Sequence, residues 1–171
     1  MRSKGYARKE SERTGTVRYF DAEGQLHRDG GPAVEWANGT KEWYRNGSLH
    51  REDGPAAELS DGSKFWMRHG EYHREDGPAI ERADGYRAWY RNGEIHREGG
   101  PAVERADGTK VWYRNGSPHR EDGPAIEYTD GTKEYCLSGK QLTEREFRAL
   151  HPEAFVSSAA KKSRKKTPGI G

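Results

Sequence analysis

HREDGPAIERADGYRAWYRNGEI, residues 73–95, is followed without a gap by HREGGPAVERADGTKVWYRNGSP, residues 96–118. Two consecutive 23-residue stretches that agree at most positions are the mark of an array, in which each copy completes its packing against the next. Outward from this pair, His-Arg recurs at His27, His50, His73, His96 and His119, always 23 residues apart. The full units are therefore 27–49, 50–72, 73–95, 96–118 and 119–141. A half-unit, TVRYFDAEGQL at 16–26, precedes them and matches the second half of a copy, so the array runs over 16–141.

Each unit carries two glycine turns. One is Asn38-Gly39, Asp61-Gly62, Asp84-Gly85, Asp107-Gly108 and Asp130-Gly131; the other is Asn46-Gly47, Asn92-Gly93 and Asn115-Gly116, with His69-Gly70 and Ser138-Gly139 as variants. Asn-Gly and Asp-Gly favour hairpin turns because both residues tolerate positive φ. Between the turns lie an aromatic arm, such as Lys110-Val111-Trp112-Tyr113-Arg114, and an Ala-apolar-Glu arm, such as Ala102-Val103-Glu104. A proline (Pro32, Pro55, Pro78, Pro101, Pro124) opens the second arm each time, where its missing N–H costs nothing. Six aromatic arms and five proline-opened arms give eleven strands, a ribbon about 50 Å long at ~4.8 Å per strand. Strand alternation places Trp43, Trp66, Trp89, Trp112 and Tyr135 on one face and Tyr44, Met67, Tyr90, Tyr113 and Cys136 on the other.

Leu142-Thr143-Glu144-Arg145-Glu146-Phe147 ends the array with a helix start. Thr143 and Glu146 form a capping box, Leu142 and Phe147 stand at hydrophobic-staple spacing, and Pro152 stops the helix. Residues 142–156 are thus read as a capping helix whose Phe147, Leu150 and Phe155 cover the open sheet end. The fold predicted is mostly β: a single elongated, twisted antiparallel sheet of consecutive hairpins, a short C-terminal capping helix, and disordered basic ends at 1–15 and 157–171.

Composition agrees with a thin, turn-rich sheet. Leu, Ile, Val and Phe number only 19, against 18 aromatics and 22 glycines. The low aliphatic content would suit disorder, but the net charge of +2 is too small for that class. Residues 1–15 carry +3 and 157–171 carry +5, which leaves −6 for 16–156. The lone Cys136 excludes an internal disulfide and a cysteine-based zinc site. No signal-peptide pattern opens the chain and no apolar run is long enough to span a membrane, so a soluble, cytoplasmic protein is expected.

The pattern DGTKEWYRNGSLHREDGPA, assembled from adjacent copies, resembles the MORN repeat. That repeat is also about 23 residues long and runs from an Asp-Gly turn through a Tyr/Trp arm to an Asn-Gly turn. The resemblance covers 16–141. Members usually carry a glycine inside the aromatic arm and Gly-x-Gly after the second turn; here Glu-Trp-Tyr-Arg and Arg-Glu-Asp-Gly-Pro stand there, closer to the variant repeats of bacterial and phage proteins, some labelled antitoxin-like. The resemblance implies an extended antiparallel sheet used for protein contacts, with lipid contact proposed for some members.

His-Arg-Glu-Asp is the constellation that could carry chemistry. Equivalent histidines stand two strands, ~10 Å, apart, too far to share an ion readily. An active site normally breaks a repeat, whereas this motif is the repeat. It is therefore read structurally: His at a turn mouth, Arg paired with Glu across neighbouring units, Asp-Gly-Pro shaping a bend. The Glu35, Glu58, Glu81, Glu104, Glu127 stripe and the Lys41, Lys64, Arg87, Lys110, Lys133 stripe are read as mutual pairing on a solvated face. Cys136 is read as a buried filler. No glycine loop has phosphate-binding spacing, and no cofactor is expected.

Two functions follow. One is a non-enzymatic interaction scaffold with a protein partner or self-association, its candidate contacts Tyr44, Trp66, Trp89, Tyr90, Trp112 and Tyr113. The other is a protein associated with nucleic acid or an anionic surface, bound through Lys161, Lys162, Arg164, Lys165 and Lys166, five positive charges within six residues. A purely solubilising tail explains those charges equally well. An enzyme or metal protein built on the His-Arg-Glu-Asp turns ranks last.

Overall fold

A computed structural model describes residues 7–155. Thirteen antiparallel strands form one sheet in chain order, from Arg8–Ser11 at one edge to Lys140–Leu142 at the other. The sheet has the eleven strands expected and two more. Arg8–Ser11 lies in the arm read above as disordered; it pairs in register with Val17–Phe20, and Arg8 and Lys9 lie over the rings of Phe20 and Tyr19 at 4.5 and 5.6 Å. Cations that cover rings look like a solvated arm in sequence. Lys140–Leu142 pairs with the end of Lys133–Leu137 and carries the sheet across the boundary drawn at residue 141. The basic segment 157–171 lies outside the described residues.

In the first four copies the aromatic arm is not one strand. Lys64–Phe65, for example, belongs to the large sheet, Trp66 interrupts it, and Met67–Arg68 continues into a separate hairpin with Glu71–Tyr72. The arm changes partners at the tryptophan: the Trp66 N–H donates to Ala79 O, and its carbonyl accepts from the His73 N–H. The same exchange occurs at Trp43, Trp89 and Trp112. The small hairpins are tied to one another in turn, as by Gly70 N–H to Leu49 O and Gly93 N–H to Tyr72 O.

The two turns of a unit differ in kind. At the second, both central residues are left-handed (Asn92 φ 49, Gly93 φ 77), the type I′ geometry that suits a two-residue hairpin. At the first, only the glycine is left-handed, as at Gly108 (φ 90). There the Asp107 carboxylate accepts the Thr109 N–H at 2.8 Å and shapes the turn from its side chain.

Cross-strand registers set Glu35, Lys41, Glu58, Lys64, Glu81, Arg87, Glu104, Lys110, Glu127 and Lys133 opposite one another with alternating sign. The other face carries Ile80, Ala88, Val103 and Val111, with Phe65, Tyr72, Tyr90, Ile95 and Tyr113 packed on them. The core is a thin apolar layer against one side of the sheet, as the scarce aliphatics require. Ala33, Ala56, Ala79, Ala102 and Ala125 have no exposed surface, since each sits where the proline-opened arm meets an aromatic, Tyr19 for Ala33 and a tryptophan for the other four.

The helix Glu144–Leu150 starts at the Thr143 cap with both capping-box bonds made. Phe147 is fully buried, 4.8 Å from the Tyr135 ring and 6.1 Å from Phe155. Leu150 does not join them: it is 60% exposed. A seven-residue helix presents one turn to the sheet end, and the 3-10 turn Pro152–Phe155 sets Phe155 6.3 Å from the Tyr135 ring, beside Phe147.

Candidate partner-binding surface

The second residue of each His-Arg pair organises the surface. Arg74 lies 3.9 Å from the centre of the Trp66 ring, and its guanidinium donates to Pro78 O (3.2 Å), Glu81 (2.8 Å) and Asp76 (3.0 Å). Arg51 over Trp43 and Arg120 over Trp112 repeat the set. Arg97 over Trp89 keeps the bond to Pro101 O and an ion pair with Glu104 at 3.6 Å, and lacks the Asp because Gly99 replaces it. Arg28 covers Tyr19 of the half-unit at 3.8 Å. A planar guanidinium can stack on a ring and donate from its edge at the same time, which a lysine cannot. The Arg–Glu pairs expected between neighbouring units are made within each 23-residue unit; the stack on the preceding Trp is what crosses the boundary.

The glycine before each proline makes this possible. A Cβ at Gly77 would stand 2.8 Å from Arg74 Cζ, and one at Gly54 2.9 Å from Arg51 Cζ. Neither glycine has a positive φ, so room for the guanidinium, rather than the shape of a bend, fixes the residue.

Histidine links loops to turns. The Nδ1 atoms of His27, His50, His73, His96 and His119 accept the backbone N–H of Asn46, His69, Asn92, Asn115 and Ser138 at 3.0–3.3 Å. These are the left-handed turn residues one hairpin further along. At His50, His73 and His119 the bond assigns the hydrogen to Nε2, whereas the Nδ1 of His27 and His96 also lies 3.0 and 2.8 Å from the Oδ1 of Asn46 and Asn115. The non-repeating His69 also places its ring 4.3 Å from His50. Burial, and then the His69 charge, lower the His50 pKa below its ordinary value.

Four clefts, one between each two successive His-Arg loops, hold about 300 to about 630 Å³. Trp43, Trp66, Trp89 and Trp112 line one each. The candidate contact residues thus divide between two faces. Trp66, Trp89 and Trp112 are half-buried with one ring face under an arginine. Tyr90 and Tyr113 pack on the aliphatic layer, and burial raises the Tyr90 pKa. Tyr44, whose hydroxyl donates to Glu42 at 3.3 Å, is on that second side as well. Lys161, Lys162, Arg164, Lys165 and Lys166 lie outside the described residues.

Cys136 is buried in the tyrosine position of the fifth copy, and burial raises its thiol pKa, away from the nucleophilic form. Among the described residues, no three His, Cys, Asp or Glu side chains converge in a way that could hold a metal, and no helix is long and apolar enough to cross a membrane. The repeat, the turns and the aromatic positions were legible in sequence. The arginine stacks were not. Their one signal is that Arg follows Trp by eight residues in four copies, and that spacing acquires meaning only once the loop folds back. No protein-family model matches this sequence, and no curated protein matches it.

Proposed function

We propose that the chain is a non-enzymatic protein-interaction scaffold of MORN-like type, using the faces of its repeat sheet, and that it works in the cytoplasm, that of an infected host cell or an antitoxin-like setting included. One observation carries this reading. The same ring, guanidinium and carboxylate set recurs in line along the sheet, and a row of equal elements suits an extended partner better than a single reacting group. The test is a pull-down from the native cell with the full chain and with a chain ending at 156, both washed in high salt. The scaffold reading expects the same protein captured by both. Capture that disappears without 157–171, or in salt, overturns it.

That second outcome would favour the other proposal, association with nucleic acid or an anionic surface through the basic ends. Five cations in six residues at 161–166 support it, together with Arg8 and Lys9 on the edge strand. It expects retention on a phosphate-bearing matrix that salt abolishes.

A further inference from the structure

We propose that the clefts lined by His50, His73 and His96 form a docking track for an uncharged, proline-rich segment of a partner protein, laid along the row as a polyproline II helix. The proposal rests on the scaffold reading and names the chemistry of its partner.

The first ground is a shortage of acceptors. The Nε2 atoms of His50, His73 and His96 are buried without a hydrogen-bond partner, and among the described residues no other buried side-chain polar atom is left so. Their side chains are 5%, 10% and 12% exposed. At His50 and His73 the backbone bond to Nδ1 puts the hydrogen on Nε2. At His96 the Glu98 carboxylate, 3.8 Å from Nε2, favours the hydrogen there too. Three donors thus stand in a row in successive clefts, and what completes each is an oxygen. The loop's own Glu stops short, at 3.5 Å for Glu52 and 3.7 Å for Glu75. Glu52, Glu75 and Glu98 are each more than two-thirds exposed and can turn outward. In the fifth copy Glu121 does close on His119 Nε2, at 3.1 Å, so the position accepts an oxygen, and there the chain itself plugs the fourth cleft.

The second ground is charge balance. Three arginines meet three carboxylates in the clefts of His50 and His96, and three meet four in that of His73. Arg51 and Arg74 already pair with Asp53 and Asp76, and with Glu58 and Glu81. A segment charged with either sign meets repulsion as well as attraction at every step, so the occupant that fits is neutral. A proline run is the backbone that brings carbonyl acceptors and no N–H in need of a partner of its own. Trp43, Trp66 and Trp89 line the same clefts, and aromatic-lined grooves are where such helices dock.

The third ground is spacing. One copy advances the row by two strands, about 9.6 Å at ~4.8 Å each. A polyproline II chain advances about 9.3 Å in three residues and presents the same side at each step. Every third carbonyl of the segment therefore meets the next Nε2–H, and seven residues reach from His50 to His96. At each cleft the loop Glu turns outward and the carbonyl takes its place.

The test titrates the full chain, carrying ¹⁵N-labelled histidine, with end-blocked (Pro)4, (Pro)7 and (Pro)10 and with (Gly-Ser)5, which is neutral but flexible and rich in N–H. The proposal expects saturable 1:1 binding of (Pro)7, at least about tenfold tighter than that of (Pro)4 or (Gly-Ser)5 and unchanged in high salt. It expects the Nε2–H signals of His50, His73 and His96 to shift and that of His119 to stay. Glu121→Ala, a change at an exposed side chain, unplugs the fourth cleft. In that variant (Pro)10 should bind several-fold tighter than in the wild type, and the His119 Nε2–H signal should now move with the others. No binding of (Pro)7, binding that salt abolishes, unmoved signals at His50 and His73, or no gain in Glu121→Ala would each overturn it. A partner captured from the native cell that (Pro)10 fails to displace would overturn the track while leaving the scaffold reading intact; capture of no partner, with (Pro)7 binding as expected, would count against the scaffold and not the track.

Discussion

The third and fifth copies follow one plan to different ends. In residues 73–95 the aromatic arm breaks at Trp89, and the Arg97 guanidinium closes over the ring at 3.8 Å. In residues 119–141 the strand Lys133–Leu137 runs unbroken through Tyr135, no His-Arg loop follows, and Phe147 and Phe155 approach the ring at 4.8 and 6.3 Å. Both rings therefore receive a cover from the chain that comes next. Inside the array the cover is a cation that also binds a carbonyl and carboxylates, so the face stays wettable and the next loop is fixed in place. At the end no further loop exists to be fixed, and an apolar side chain suffices. The contrast explains why the interior needs Arg, Gly and Glu together: the guanidinium requires the ring beneath it, the space at Gly and the acceptor on the strand.

Breaking the terminal cover should have the largest effect. Phe147→Ala empties a fully buried position beside Tyr135 and should cost about 3–5 kcal/mol in denaturant unfolding, as large aromatic truncations do. A loss under about 1 kcal/mol, the size of a mere cap, would show that the helix does not close the sheet. Breaking an interior cover comes next. Arg74→Ala should cost about 2–3 kcal/mol, below the figure for a fully buried pair because Arg74 keeps some solvent contact. Arg74→Lys should recover part of this but not all, since the ammonium cannot stack and donate as the fork does. Gly77→Ala should cost about 1–3 kcal/mol through overpacking on Arg74, and much less in an Arg74→Ala background. If its cost is the same in both, the glycine serves the backbone and not the guanidinium.

The smallest expected effect is with pH. His50 has a lowered pKa in the fold, so the unfolded chain takes up the proton first. Its contribution is complete above about pH 6.5 and is lost as pH falls below that value. Thermal melts between pH 7.5 and 5 should show this decline, and His69→Asn, which removes the neighbouring imidazole but keeps a residue suited to the left-handed turn, should reduce it. A melt that is flat over this range would mean that the His50 ring carries no such load.

Much of this was legible in sequence because the period did the work. Gly turns at fixed offsets and prolines at strand starts fix hairpins, and Thr143 with Glu146 fixes the helix start. What was not legible depends on how the chain returns to itself. The stack of Arg74 on Trp66 and the bond from the Asn92 N–H to His73 Nδ1 join residues eight and nineteen apart, and neither spacing belongs to a helix or a strand. Arg8–Ser11 was missed because its covering cations resemble a solvated arm, and Leu150 was misplaced because a short helix reaches the sheet with Phe147 alone.

The central claim is that the Arg–Trp stack, and not each residue by itself, joins one copy to the next. A double-mutant cycle on Trp66→Leu and Arg74→Met, followed by urea unfolding, measures it most directly. The account predicts a coupling of about 1 kcal/mol or more, as expected for a partly desolvated cation over indole. Single effects that add to within about 0.3 kcal/mol would contradict it.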